Sequence, residues 1–158
     1  MEANLVHGEG DLFAQPYRCL DWHKEFLWRW YELDPAKPTE PGQPGEWWYQ
    51  EALIGAERGA VKTELIAGVS MLEFAGPSVF RRPTPIVHIA AASHDQAGEL
   101  FRQCQIMAGG QAGTVPQAPL HSLFNVFDTE ITYRDGRPGK IERIAAVAGT
   151  NEGGKTTL

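Results

Sequence analysis

Residues 49–74 constrain the fold of this chain more than any other stretch. The short apolar segment Ala52-Leu53-Ile54 runs into a glycine-bearing turn from Gly55 to Gly59. Lys62-Thr63 follow, and Leu65, Ile66, Val69 and Leu72 then recur at helical spacing. Strand, glycine turn, Lys-Thr and helix is an order suited to cradling a phosphate. N–H groups at a helix start face the anion, lysine adds charge, and a threonine hydroxyl can ligate Mg²⁺. The full spacing G-x-x-x-x-G-K-[ST] would place glycines where Ala56 and Val61 stand. Val61 is the more serious departure, because a β-branched side chain resists the positive φ that glycine accepts. On spacing alone the stretch is either a nucleotide loop or a plain βα turn.

The same spacing is complete at Gly149-Thr-Asn-Glu-Gly-Gly-Lys-Thr156, after the apolar run Ile144 to Ala148. With Leu158 last in the sequence, no helix is expected behind this second loop. It would then lack the dipole and the ordered N–H groups that hold an anion, and reads as a glycine-rich terminal turn.

The 158 residues suffice for one domain with a sizeable core. A formal charge of −6 provides no overall basic field, which argues against a free-standing nucleic-acid binder. Two cysteines far apart, Cys19 and Cys104, suit a reducing compartment. No apolar run reaches membrane-spanning length and no signal-peptide pattern opens the chain, so a cytoplasmic location is expected.

Taken in order, residues 1–18 read as a loosely held N-terminal arm. Asp21 is placed to cap a helix through Leu33, with Trp22, Phe26, Trp30 and Leu33 at helical spacing. The run from Pro35 to Gly45 is too rich in proline and glycine for anything but a surface loop. Ile86–Ala91 is a continuous apolar run of the kind that fills a buried parallel strand, and its His88 reads as a core histidine. Ser93-His-Asp-Gln96 is a capping box that opens a helix to about Met107. Two strand–helix units in series predict an α/β fold with a parallel sheet and helices against its faces. Thr129–Arg134 and Lys140–Ala146 flank the turn Asp135–Gly139 and predict a C-terminal β-hairpin. No Ser/His/Asp or Cys/His set has convincing local spacing.

Three stretches together resemble a known family. They are Leu20-Asp-Trp-His with Arg29-Trp-Tyr-Glu-Leu-Asp-Pro35, then Gly55-Ala-Glu-Arg-Gly-Ala-Val-Lys-Thr-Glu-Leu65, and Ile86-Val-His-Ile-Ala-Ala-Ala-Ser-His-Asp-Gln-Ala97. From about Leu20 onward the chain is similar to the N-terminal part of the phage terminase large subunit, the ATP-driven motor that packages DNA. The resemblance implies a P-loop NTPase-like parallel sheet flanked by helices, incomplete, with residues 19–158 forming part of the ATPase domain. It implies ATP and Mg²⁺ as cofactors. Lys62 would contact the β- and γ-phosphates and Thr63 the Mg²⁺. Gly59 would lie in the phosphate loop, and Arg58 would be the loop arginine that helps trigger hydrolysis. Trp22 would lie near the adenine, with His23 where the family usually has glutamine. Implied partners are double-stranded phage DNA, the small terminase subunit, the portal protein and further copies of the chain, in the host cytoplasm. The family's apolar strand ending in Asp-Glu, which positions Mg²⁺ and the attacking water, does not appear in the sequence, so hydrolysis is expected of the full motor. A reading from another class stays open: a non-catalytic remnant or protein-interaction module.

Overall fold

The computed structural model describes residues 1–37, 46–57, 61–76, 84–91 and 94–145. They fall into two compact units, Arg18–Lys62 on the one hand and Met1–Tyr17 with the chain from Thr63 onward on the other. The described elements are α1 (Asp21–Trp30), α2 (Lys62–Ala75), β1 (Ile86–Ala91), α3 (His94–Met107), β2 (Phe124–Val126), β3 (Glu130–Tyr133) and β4 (Lys140–Ala145). None of these helices is long and apolar enough to cross a membrane.

The larger unit is α/β, built on a four-stranded sheet in the order β1-β4-β3-β2. β1 and β4 are parallel, with Ile86 opposite Lys140 and Ala91 opposite Ala145. β4 with β3, and β3 with β2, are antiparallel. The expected hairpin is therefore present, as β3 and β4. Its turn ends at Gly139 (φ 133°), where a Cβ would stand 2.9 Å from the Pro85 carbonyl oxygen. That oxygen accepts the Lys140 N–H at 2.9 Å and starts the parallel pair. Glycine is required there by both the positive φ and the close approach.

The expected all-parallel sheet is not what forms: the sheet is mixed. Ala52–Ile54 is not a strand, and Leu53 is 99% exposed. Ala52 and Leu53 are exposed and Ile54 only half-buried, so the segment has no buried face of the kind a core strand presents.

Strand alternation puts Val87, Ile141, Ile131, Tyr133 and Phe124 on one face, and all five are buried. Both helices of this unit, α2 and α3, pack on that face. The Phe74 ring of α2 stacks on Tyr133 at 4.3 Å and on Phe124 at 5.3 Å, and the Tyr133 hydroxyl donates to the Phe74 carbonyl. From α3, Gly98 abuts Arg143 of β4, whose guanidinium lies 3.0 Å from where a Cβ would stand. The Cys104 thiol meets the Ala67 carbonyl of α2. Most of α2 is buried, Leu65, Ala67, Val69, Met71 and Phe74 among it, as suits a helix that is apolar on several sides. The opposite face of the sheet carries half-buried polar groups, with Glu142 between His88 (2.9 Å) and Lys140 (2.6 Å). His88 thus lies beside Glu142 on the polar face instead of in the core.

The N-terminal segment is not a loose arm. Leu5, Val6 and Tyr17 are buried, and the chain doubles back through a Val6–Pro16 bridge, with His7 N–H donating to Gln15 and Ala14 N–H to His7, each at 2.8 Å.

Candidate functional site

The smaller unit holds most of the residues singled out for phosphate and base recognition. α1 starts at Asp21 itself, so Asp21 is its first residue and not its cap. The Leu20 N–H is instead taken by His23 Nδ1 at 3.3 Å. The helix stops at Trp30, because Leu33 leaves to bridge with Trp47. Residues one turn apart share a face, and Phe26 stacks on Trp30 nearly parallel, with ring centres 6.1 Å apart.

Trp22 and Phe26 form one wall of a cleft of about 460 Å³, and Leu53-Ile54-Gly55-Ala56-Glu57 forms the other. This places Trp22 and the segment leading toward the Lys-Thr pair around one cavity. His23 is not part of it: the ring is fully buried and committed to the start of α1. Phe26 does line the cleft, and its position four residues after Trp22 was the signal for it.

Lys62 is the first residue of α2. Its Nζ donates to the carbonyl oxygens of Ala56 (2.7 Å) and Glu57 (3.1 Å), two residues of the cleft wall. An ammonium has three donors, so one is left after these two contacts. Immediately before Lys62, Val61 has φ 57°, in the left-handed region. Position 61 is where the G-K-[ST] spacing calls for glycine, and the backbone there adopts a conformation natural to glycine although the side chain is β-branched.

Thr63 follows as the second residue of α2. Arg58, Gly59 and the whole of Gly149–Thr156 lie outside the described residues. Among the described residues no group of three or more His, Cys, Asp or Glu side chains could hold a metal. Mg²⁺ bound with a nucleotide needs only one or two protein oxygens beside phosphates and waters, so a lone Thr63 hydroxyl fits that demand. Glu64, the nearest acid, is committed elsewhere: its carboxylate accepts from His7 Nδ1 at 2.9 Å and from the Gly8 N–H at 2.7 Å.

No protein-family model, curated protein or solved structure matches the chain.

Proposed function

We propose that this chain is an ATP-binding subdomain of a DNA-packaging motor of the terminase large-subunit type. Lys62 takes the β- and γ-phosphates, Thr63 holds Mg²⁺, Trp22 lies against the adenine, and Arg58 and Gly59 belong to the phosphate loop. When bound, the metal neutralises charge on the phosphates. Double-stranded DNA, a small terminase subunit and a portal protein would be the partners of the motor. Hydrolysis is assigned to that assembly and not to this segment by itself.

One observation carries the reading: a left-handed residue directly before Lys62, whose ammonium rests on a segment that shares a cleft with Trp22. Titration with a fluorescent ATP analogue tests it. Losing a hydrogen bond between charged groups lowers affinity about ten- to a hundredfold, the effect expected of Lys62→Ala, whereas Lys155→Ala should change little. Binding that survives Lys62→Ala and is abolished by Lys155→Ala would place the phosphate loop at the other end of the chain.

A second reading has its own support. The smaller unit exposes Trp28 (83%), Trp48 (50%) and Leu53, apolar surface of the kind that seats on another protein. A wild-type chain that retains no nucleotide would leave this non-catalytic interaction module as the better account.

A further inference from the structure

We propose that the buried His7–Glu64 pair is a positioning device for the nucleotide site. It would hold the first turn of α2, and with it Lys62, by way of the N-terminal hairpin. This rests on the nucleotide reading above.

Glu64 is the third residue of α2 and only 4% exposed. A carboxylate that far from water is tolerable only with partners, and here the hairpin supplies two: His7 Nδ1 and the Gly8 N–H. Position 8 also packs tightly against α3. A Cβ there would stand 1.5 Å from the Oε1 of Gln103, a fully buried α3 side chain. One turn further along, Gly68 admits Met1 and Leu5, since its Cβ would stand 2.2 Å from the Met1 methyl carbon and 3.5 Å from Leu5 Cδ1. The hairpin thus lies along α2 and grips it at positions 64 and 68, one turn apart on the same face.

These two grips are not equivalent. The hairpin keeps its own closure through the backbone bonds of His7, Ala14 and Tyr17, and its apolar anchors do not involve Glu64. What the His7–Glu64 hydrogen bond adds lies in the first turn of α2, where N–H groups lack helical partners and fraying begins. Lys62 stands in that turn, so His7 and Glu64 act on phosphate binding without touching a phosphate.

Two measurements on the intact chain test this. Hydrogen exchange at residues 63–66 in ligand-free protein reads the helix start, and retention of a fluorescent ATP analogue reads the site. His7→Ala is expected to speed exchange at 63–66 and to weaken the analogue about tenfold, the size of one hydrogen bond to a charged group. His7→Asn places an amide donor where Nδ1 stands and is expected to restore most of both. Leu5→Ala loosens the hairpin anchor without touching Glu64. It should lower the melting temperature and leave the affinity of the folded protein unchanged. If His7→Ala and Leu5→Ala lower affinity alike, or if His7→Asn restores nothing, the pair has no positioning role. A wild-type chain that binds no analogue removes the nucleotide reading and this role together, and the exchange data then show whether the pair still holds the helix end.

Discussion

Val61 gives the sharpest test of the local geometry. A left-handed backbone at φ 57° costs an L-residue about 1–2 kcal/mol, a cost glycine escapes. At ordinary φ the order is reversed: glycine is worse than alanine by about 0.5–1 kcal/mol, because it gives up more freedom on folding. Comparing Val61→Gly with Val61→Ala therefore comes close to isolating the backbone term, since both remove the two γ-methyls of an exposed side chain and differ only by Cβ. Subtracting the entropy cost from the strain, at the middle of each range, leaves glycine ahead by about 0.75 kcal/mol. In a domain of this size that difference raises the melting temperature of the glycine variant over the alanine one by roughly 1–4 °C. Urea unfolding of the two variants side by side measures it. Alanine equal to or more stable than glycine would mean that residue 61 is not left-handed, and the argument that this position has the geometry of a phosphate-loop glycine would go with it.

Two further outcomes follow from the larger unit. Cys104 is fully buried, and burial pushes its thiol up to about 12 from the usual 9.0. The unfolded chain therefore releases this proton from about pH 9 while the folded one keeps it, so ionisation favours unfolding as pH rises from about 9 to about 12. Stability should fall over that window more steeply in wild type than in Cys104→Ala, and a thiol reagent should modify half-buried Cys19 well before Cys104. Phe74→Ala should cost about 3–5 kcal/mol in urea denaturation, because its ring is the contact between α2 and the Tyr133–Phe124 pair. Tyr133→Phe should cost about 1–3 kcal/mol, since the buried Phe74 carbonyl loses that donor.

What the sequence made legible was local. Ile86–Ala91 forms a strand over the bounds expected, and the apolar positions from Leu65 onward form a helix, because a continuous run and a helical period each suit one conformation. The hairpin across Asp135–Gly139 was equally plain from its turn residues. Pairing direction was not legible in the same way. β1 reads as an interior parallel strand and does pair in parallel with β4, but nothing within its six residues announces that β4 then pairs antiparallel with β3. The hairpin turn decides that second pairing, and the helical connection through α3 permits the first.

The site divides along the same line. Lys62 could be chosen from residue type and spacing and Trp22 only from the family resemblance, and the structure gives the first a helix start and the second a cleft wall. Val61 was visible as a misfit. A β-branched residue at a glycine position implies either that the backbone avoids the left-handed region or that it accepts the strain, and the structure has the strain. Glu64 could not have been found this way. Between Thr63 and Leu65 it looks like any acid in a first helical turn, stabilised by the helix dipole and bathed in water. Its real partners stand 56 and 57 residues away in a segment that reads as an arm. The one local trace is Gly8, whose N–H meets the carboxylate and whose missing side chain leaves room for Gln103. A glycine in a polar N-terminal stretch looks like flexibility until the fold shows what it has been pressed against.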